Sequence, residues 1–355
     1  MATWYSSGKG SEHGYSQEAS VSKKHTVNLA VRNYRGEEDI AAIAALFGAA
    51  AEVDGPHYGG SENDTRQTMT APRTFPQQNV FLFEADGRLV GYGRVQLDEG
   101  PKESVFVLRG MVHPKWRRQG IGTRLMERLE QRVQERLDEA TNERVLASVW
   151  CNLEHQDRRA LFQKMGYSAV RYFFEMERLL RKSGIPVELP EPVYPPGIMV
   201  QSMAERPDLQ AVWKTCDEAF RDHWGHTESR LEDWEHWTAT PDHRPELWLV
   251  ARDSKEDTAV GVCLNGIDPD YNARLGRQEG WIHTLAVRRP FRGQGLGRAL
   301  LLAGMHLLQQ EGMHWAKLRV DSENLSGALR LYESVGFQSV LKSAAFRKVV
   351  RSPRS

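Results

Sequence analysis

Two short stretches constrain this chain more than any others: "RRQGIG" at residues 117–122 and "RGQGLG" at 292–297. Each follows an apolar run and opens a long amphipathic stretch. Gly120 and Gly295 stand 175 residues apart, as do Gly122 and Gly297, and the later "QKMGY" (163–167) and "ESVGF" (333–337) repeat at a shift of 170. A chain of 355 residues exceeds one comfortable core. The repeat therefore predicts two copies of one domain of about 170 residues. The boundaries fall at 27–182 and 198–355, joined by the proline-rich "SGIPVELPEPVYPPG" (183–197), a semi-rigid extended linker. Residues 1–26 are Ser/Gly-rich, lack the apolar core of a signal peptide and read as a loose arm.

Each copy reads as strand, helix, hairpin, strand, glycine turn, helix, strand, short helix, strand. The hairpin turns on Asp86-Gly87, a strong type I′ signal. The first helix presents Ile40, Ile43, Ala44, Phe47 and Ala51 on one side. The helix after the turn carries a stripe of Leu125, Leu129, Val133 and Leu137. The fold class is α/β, an α+β mixed sheet flanked by helices.

A strand that feeds a glycine-rich turn and a helix N-terminus makes an anion site. The amides point outward, the helix dipole favours negative charge, and glycine lets a pyrophosphate approach the backbone. Neither turn is a Walker loop, and neither has dinucleotide spacing. Charge excludes less specific partners. Lys and Arg total 47 against 47 Asp and Glu, so nothing global points to nucleic acid or an anionic membrane. The three cysteines, Cys151, Cys216 and Cys263, fit a reducing cytoplasm. The scattered His223, His226, His236 and His243 lack metal-ligand spacing, so no metal is expected.

The segments "LAVRRPFRGQGLGRALL" and "RVDSENLSGALRLYESVGF" resemble the GNAT superfamily of acyl-CoA-dependent N-acyltransferases. The tandem order, "AAAEVDGPHYGGSE" and "DEAFRDHWG" resemble the mycothiol synthases and their relatives within it. The resemblance covers nearly all of residues 27–350. It implies two tandem GNAT domains using acetyl-CoA. The cofactor would lie on Leu285, Ala286, Val287, Arg292, Gly293, Gln294, Gly295, Leu296, Gly297, Arg298 and Asn324. In the first copy the matching positions are Met111, Val112, Arg117, Arg118, Gln119, Gly120, Ile121, Gly122 and Thr123. Glu62 matches a substrate-binding glutamate.

Acyl transfer needs a neutral amine, a donor for the oxyanion and a proton for the leaving thiolate. Tyr332 is the candidate acid. Glu279 and His283, alternating with Trp281 on one strand face, are alternative bases. Asp321 and Trp224 are candidate acceptor contacts; "HWGHTESRLEDWEHW" (223–237) reads either as an aromatic pocket for a cation or as a helix packing Trp234 and Trp237 on the core. At the shifts of 175 and 170, Leu108, Ser104 and Phe162 stand where the second copy has His283, Glu279 and Tyr332. The first copy thus keeps the turn and loses the proton-transfer groups. It reads as a CoA-binding or structural partner, and the second copy as the catalyst. The acceptor is a small-molecule primary amine: a metabolite, a cysteinyl pseudo-disaccharide of the mycothiol synthase type or an aminoglycoside-like antibiotic. The rivals are a protein N-acetyltransferase and a non-catalytic CoA-binding module. Monomer and homodimer both remain open.

Overall fold

The structure is a computed structural model; it describes residues 28–352 apart from 56, 57, 228, 241, 242, 325 and 326. The expected loose arm at 1–26 lies outside the described residues. The first half runs β1 (Leu29–Asn33), α1 (Ile40–Asp54), α2 (Glu62–Thr70), α3 (Pro76–Asn79), β2 (Val80–Ala85), β3 (Arg88–Glu99), β4 (Ser104–Val112), α4 (Ile121–Glu135), β5 (Val145–Asn152), α5 (Gln156–Lys164) and β6 (Ser168–Leu179). A short hairpin follows, β7 (Arg181–Lys182) and β8 (Ile185–Pro186). The second half repeats the order: β9 (Ile198–Ser202), α6 (Leu209–Phe220), α7 (Leu231–Thr238), β10 (Trp248–Asp253), β11 (Ala259–Gly266), α8 (Pro269–Leu275), β12 (Glu279–Val287), α9 (Leu296–Gln310), β13 (Trp315–Asp321), α10 (Ala328–Ser334) and β14 (Gln338–Arg351).

Local chemistry explains the elements. The β2–β3 turn places Asp86 and Gly87 at φ 50° and 70°, the paired positive values a type I′ turn requires. Leu125, Leu129 and Val133 of α4 are buried on the sheet, while Leu137 lies beyond the helix and is only partly covered. α2 begins with a capping box: the Asp64 amide donates to Ser61 Oγ, and the Ser61 amide donates to Asp64 Oδ2.

The halves do not keep separate sheets. Twelve strands form one sheet in the order β1-β2-β3-β4-β5-β14-β6-β13-β12-β11-β10-β9. β14 pairs antiparallel with β5 of the first half, and β6 pairs antiparallel with β13 of the second. β6 and β14 then pair with each other at the centre. Each half therefore donates its last strand to the other, and the order reads alike from either end. Exchange seals what would otherwise be two exposed sheet edges. The linker does not stand free. The Gln309 side-chain amide donates to the Leu180 and Val187 carbonyls (2.7 and 2.8 Å), Leu189 is buried, and His306 Nε2 contacts the Pro190 carbonyl at 3.1 Å, so the segment is laid along α9.

Across the sheet face, α7 meets α2. Arg73 pairs with Glu232 and, at 2.5 Å, with Asp233, and His236 Nε2 lies 3.0 Å from the Gln67 carbonyl. These contacts link the two halves outside the sheet.

Candidate active site

The site is built from two backbone features and a set of bracing side chains, each present in both halves. The first is a wedge. β4 and β5 pair in parallel from Ser104↔Val145 to Val107↔Ser148; β12 and β13 pair from Glu279↔Trp315 to Trp281↔Lys317. Beyond these points the strands splay. Leu108 to Val112, and Ile282 to Val287, face the gap without ladder partners on that side. Unpaired strand groups along a gap suit an extended chain carrying amides of its own.

The second feature is the turn. Gly120 and Gly295 sit at φ 83° and 87° as the N-caps of α4 and α9, and Arg118 and Gly293 precede them at 62° and 74°. Neither helix has a side-chain cap or an acidic residue in its first turn. The first three amides of each are thus left to an external acceptor. A Cβ built on Gly120 or Gly295 meets nothing within 4 Å, so the space over the turn is open. Ile121 and Leu296 point their side chains into the core and offer only amides. Residues of this turn fit a diphosphate.

The third feature corrects an expectation. Arg117 and Arg292 do not reach outward. Arg117 Nε donates to the Val112 carbonyl (3.2 Å), and Arg292 Nε donates to the Val287 carbonyl (2.9 Å). The outer nitrogens tie each turn to the first helix of its half: Arg117 forms a fork on Asp54 of α1 (2.6 and 2.7 Å), and Arg292 Nη2 donates to the Ala219 carbonyl of α6 (2.8 Å). Gln119 and Gln294 fold back on the carbonyls four residues earlier. These side chains brace the turn, and its backbone faces the ligand.

The halves diverge where chemistry would occur. In the second, Leu264 pairs with Thr284 and Asn265 with Ile282, leaving His283 as the extra residue of a bulge. The β3–β4 ladder is unbroken, with Leu108 facing Val95. A bulge re-aims one side chain. Here it swings His283 onto Gly266, where a Cβ would lie 2.6 Å from Nε2. The ring lies parallel to Trp281 (6.3 Å, 10°) and edge-on to Trp237 of α7 (6.4 Å, 83°). It is solvent-accessible within a crowded cleft. Desolvation by the side chains crowded around it, then the Arg319 charge, lower its pKa to about 4, which favours the neutral imidazole. Tyr332 on α10 is 8% exposed, edge-on to Phe337 (6.1 Å), and burial raises its pKa above the ordinary phenol value. Its counterpart Phe162 packs against Tyr167 and Phe346.

Other candidates go elsewhere. Glu279 is fully buried, with Arg277 Nε at 2.9 Å and Lys317 Nζ at 3.3 Å; Lys317 also holds Glu175 at 2.6 Å. These are charge contacts rather than aligned hydrogen bonds. They fix Glu279 as a strut between β12 and β13, away from solvent. Glu279→Gln is expected to cost about 3 kcal/mol, the scale of a broken buried ion pair, while the folded fraction keeps its turnover. Thermal melts beside rates per folded molecule check this; a normal melt with lost turnover overturns it. Asp321 accepts both contacts of Arg171 Nε (2.8 and 3.0 Å) and braces the exchanged strand β6. Trp224 packs on Phe173 and under Arg347, whose Cζ lies 4.2 Å from the ring centroid. Glu62 is exposed on α2 beside Arg66 (4.0 Å). Asn324 lies on the loop entering α10, its amide donating to the Asp321 carbonyl (3.2 Å). Met111, Val112, Arg118, Gly122 and Thr123 line the first wedge. Leu285 and Val287 flank the second, Ala286 is buried behind it, and Arg298 follows on α9. Gly266 and Arg319 were not foreseeable from motif or periodicity; only the bulge and the meeting of β13 with β12 bring them to His283, whereas Trp237 lies in the stretch read as a possible aromatic pocket.

Comparison with known proteins agrees with this architecture. Residues 209–337 match the acetyltransferase (GNAT) family, and residues 76–169 match an acetyltransferase (GNAT) domain. Mycothiol acetyltransferase of Thermobifida fusca is 30% identical over 310 residues, spanning 85% of this chain and 92% of that protein. That of Thermomonospora curvata is 30% identical over 302 residues, spanning 85% and 91%. The GCN5-related N-acetyltransferase of Sphaerobacter thermophilus superimposes with a TM-score of 0.69 at 28% identity, over 92% of this chain and 97% of that one. A tandem GNAT protein from the clavulanic acid biosynthesis pathway shares the fold (TM-score 0.66, 16% identity, 92% and 100% covered). With a glycine turn and a wedge in each half, the chain belongs to the GNAT family, as a tandem acetyl-CoA-dependent N-acetyltransferase.

Proposed function

We propose that the second half carries the chemistry and acetylates the primary amine of a small molecule. The observation that carries this reading is the asymmetry between the wedges: His283 and Tyr332 in one, Leu108 and Phe162 in the other. The turn at 293–298 would hold the diphosphate on backbone amides, and Leu285 to Val287 would run beside the pantetheine arm. Acetyl-CoA, when bound, supplies the thioester carbonyl. The neutral amine attacks it, forming the C–N bond as the C–S bond breaks. His283, neutral above about pH 4, accepts the amine proton directly or through water. Tyr332, kept protonated by burial, gives its proton to the departing thiolate. The first half is a partner that builds the shared sheet and braces the cleft through α2.

The acceptor class follows from what surrounds His283. Trp281 and Trp237 flank the His283 ring, and buried Trp248 backs Trp237 at 4.9 Å. Arg73, just past α2, pairs with Glu232 and Asp233 of α7 and so ties the helix that carries Trp237 to the first half. An aromatic cleft bordered by that helix suits a small amine better than a protein chain. Two relatives named for mycothiol favour a cysteinyl pseudo-disaccharide acceptor. The test is acetyl-CoA consumption over a panel of amines: cysteinyl pseudo-disaccharides, aminoglycosides, polyamines and a lysine peptide. Saturable turnover with a small amine and none with the peptide is expected; the reverse overturns the reading. On the best acceptor, kcat/KM corrected for the neutral amine fraction should hold steady as pH falls through 6.5. An unperturbed imidazole would lose half its base form there. A limb near 6.5 that vanishes in His283→Gln would show that the imidazole is not held neutral.

A further inference from the structure

A cavity of about 830 Å³ lies mainly in the first half, which lacks the proton-transfer pair. It runs from the turn at Arg118, Gly120 and Thr123 past Val107 and Leu161 to three arginines at its inner end: Arg94, Arg109 and Arg319. We propose that this inner end is a carboxylate-binding site formed by Arg94, Arg109 and Arg319.

Arg94 and Arg109 are direct partners across the β3–β4 ladder. Like charges placed directly opposite are destabilising. Among the described residues, neither has a carboxylate within ion-pair reach. Arg94 Nε is buried with no hydrogen-bond partner. Arg319 enters from β13 of the other half, half-exposed, its nearest acid Glu175 at 3.8 Å and already held by Lys317. Asp98 is the acid whose charge is felt at this end, and its carboxylate takes the Gln96 amide at 2.9 Å. Arg109 is exposed to the cavity; the protein around it, and then the Arg94 charge, weaken its proton binding. Three cations converge on one space, two in repulsive register and one with an unused donor. A planar, bidentate anion resolves that arrangement, and carboxylate matches the guanidinium fork.

The place is specific. Arg109 follows Leu108, the register position of His283, so the arginines stand where the second half keeps its reacting groups. The rest of the lining mixes apolar side chains such as Leu108, Met111 and Leu161 with polar ones, Asp64, Asp157 and Arg158 among them. A ligand fitting the whole cavity would be anionic at both ends, as is the CoA thioester of a dicarboxylic acid. A free dicarboxylate would occupy the inner end alone. The thioester case rests on reading the first turn as a phosphate cradle; the free-acid case does not.

The experiment uses the full chain, wild type and Arg94→Gln/Arg109→Gln, titrated by calorimetry with succinyl-CoA, acetyl-CoA and free succinate. Loss of two charge-assisted contacts should weaken the carboxylate ligand by about 10²-fold or more. Acetyl-CoA affinity and acetyl transfer should not change. If succinyl-CoA exceeds acetyl-CoA in the wild type alone, the source is a thioester. If free succinate binds in an arginine-dependent way and the two thioesters are equal, the source is a free acid. Both outcomes support the site. Because repulsion is removed, the empty double variant should melt at or above the wild-type temperature. Equal binding of all three probes to both proteins overturns the proposal. So does a double variant that melts several degrees lower, since the arginines would then be struts.

Discussion

Tyr332→Phe should lower turnover by roughly 10²–10⁴-fold, the range expected for loss of a positioned general acid, with acetyl-CoA affinity unchanged. The substitution removes one hydroxyl. The ring stays edge-on to Phe337 and within the apolar cluster that includes Leu318 and Val335, so packing survives and the loss is chemical. The hydroxyl matters because the leaving group is a thiolate, which departs poorly in an apolar site without a proton. Burial raises the Tyr332 pKa, so the donor form persists throughout the working range and no alkaline limb belongs to it below pH 10. The measurement is steady-state rate with a thiol-release assay, beside acetyl-CoA binding by calorimetry. Phe162→Tyr in the first half should not restore activity, because Leu108 still offers no base. A Tyr332→Phe enzyme near full activity would move the acid role elsewhere.

How much of this was readable in advance depends on whether the signal was local. The Asp86-Gly87 hairpin, the α4 stripe and the positive φ of Gly120 and Gly295 are set within a few residues, and the sequence marks each. The exchange of β6 and β14 is not local. "YSAVRYFFEMERL" and "FQSVLKSAAFRKVV" carry comparable strand patterns. Nothing within either says which β-strand it should lie against; that choice depends on edges left open roughly 140–200 residues away. The two fates of Glu279 and His283 make the same point at the site. Both were placed on one strand face by alternation. Lys317 reaches the first from a neighbouring strand, and the bulge lifts the second into the cleft. A one-residue slip in pairing leaves no trace in composition. The motif arginines misled for a different reason: a cation in a phosphate-binding turn suggests a phosphate contact, yet Arg117 and Arg292 both turn back to their own strand ends.

Gly295→Val should reduce acetyl-CoA affinity by about 10²-fold or more, since several charge-assisted hydrogen bonds at roughly 1.5–3 kcal/mol each depend on that turn. Two effects combine. At φ 87° a β-branched residue is strained, by roughly 1–2 kcal/mol. Its side chain also enters the open space over the amides of residues 296–298, where a Cβ meets no protein atom within 4 Å. The clash is therefore with the ligand and not with the fold. Gly120→Val is the matched control. Its φ is 83°, its Cβ is equally unobstructed, and it caps a helix of the same length, so the folding penalty is common to both. Any difference in turnover then reports which wedge holds the reacting thioester. Gly295→Val should abolish transfer at ordinary acetyl-CoA concentrations, with activity recovering as acetyl-CoA is raised. Gly120→Val should leave transfer largely intact. The opposite result, with Gly120→Val dead and Gly295→Val active, would place the chemistry in the first half and require an acid and a base that Phe162 and Leu108 cannot supply.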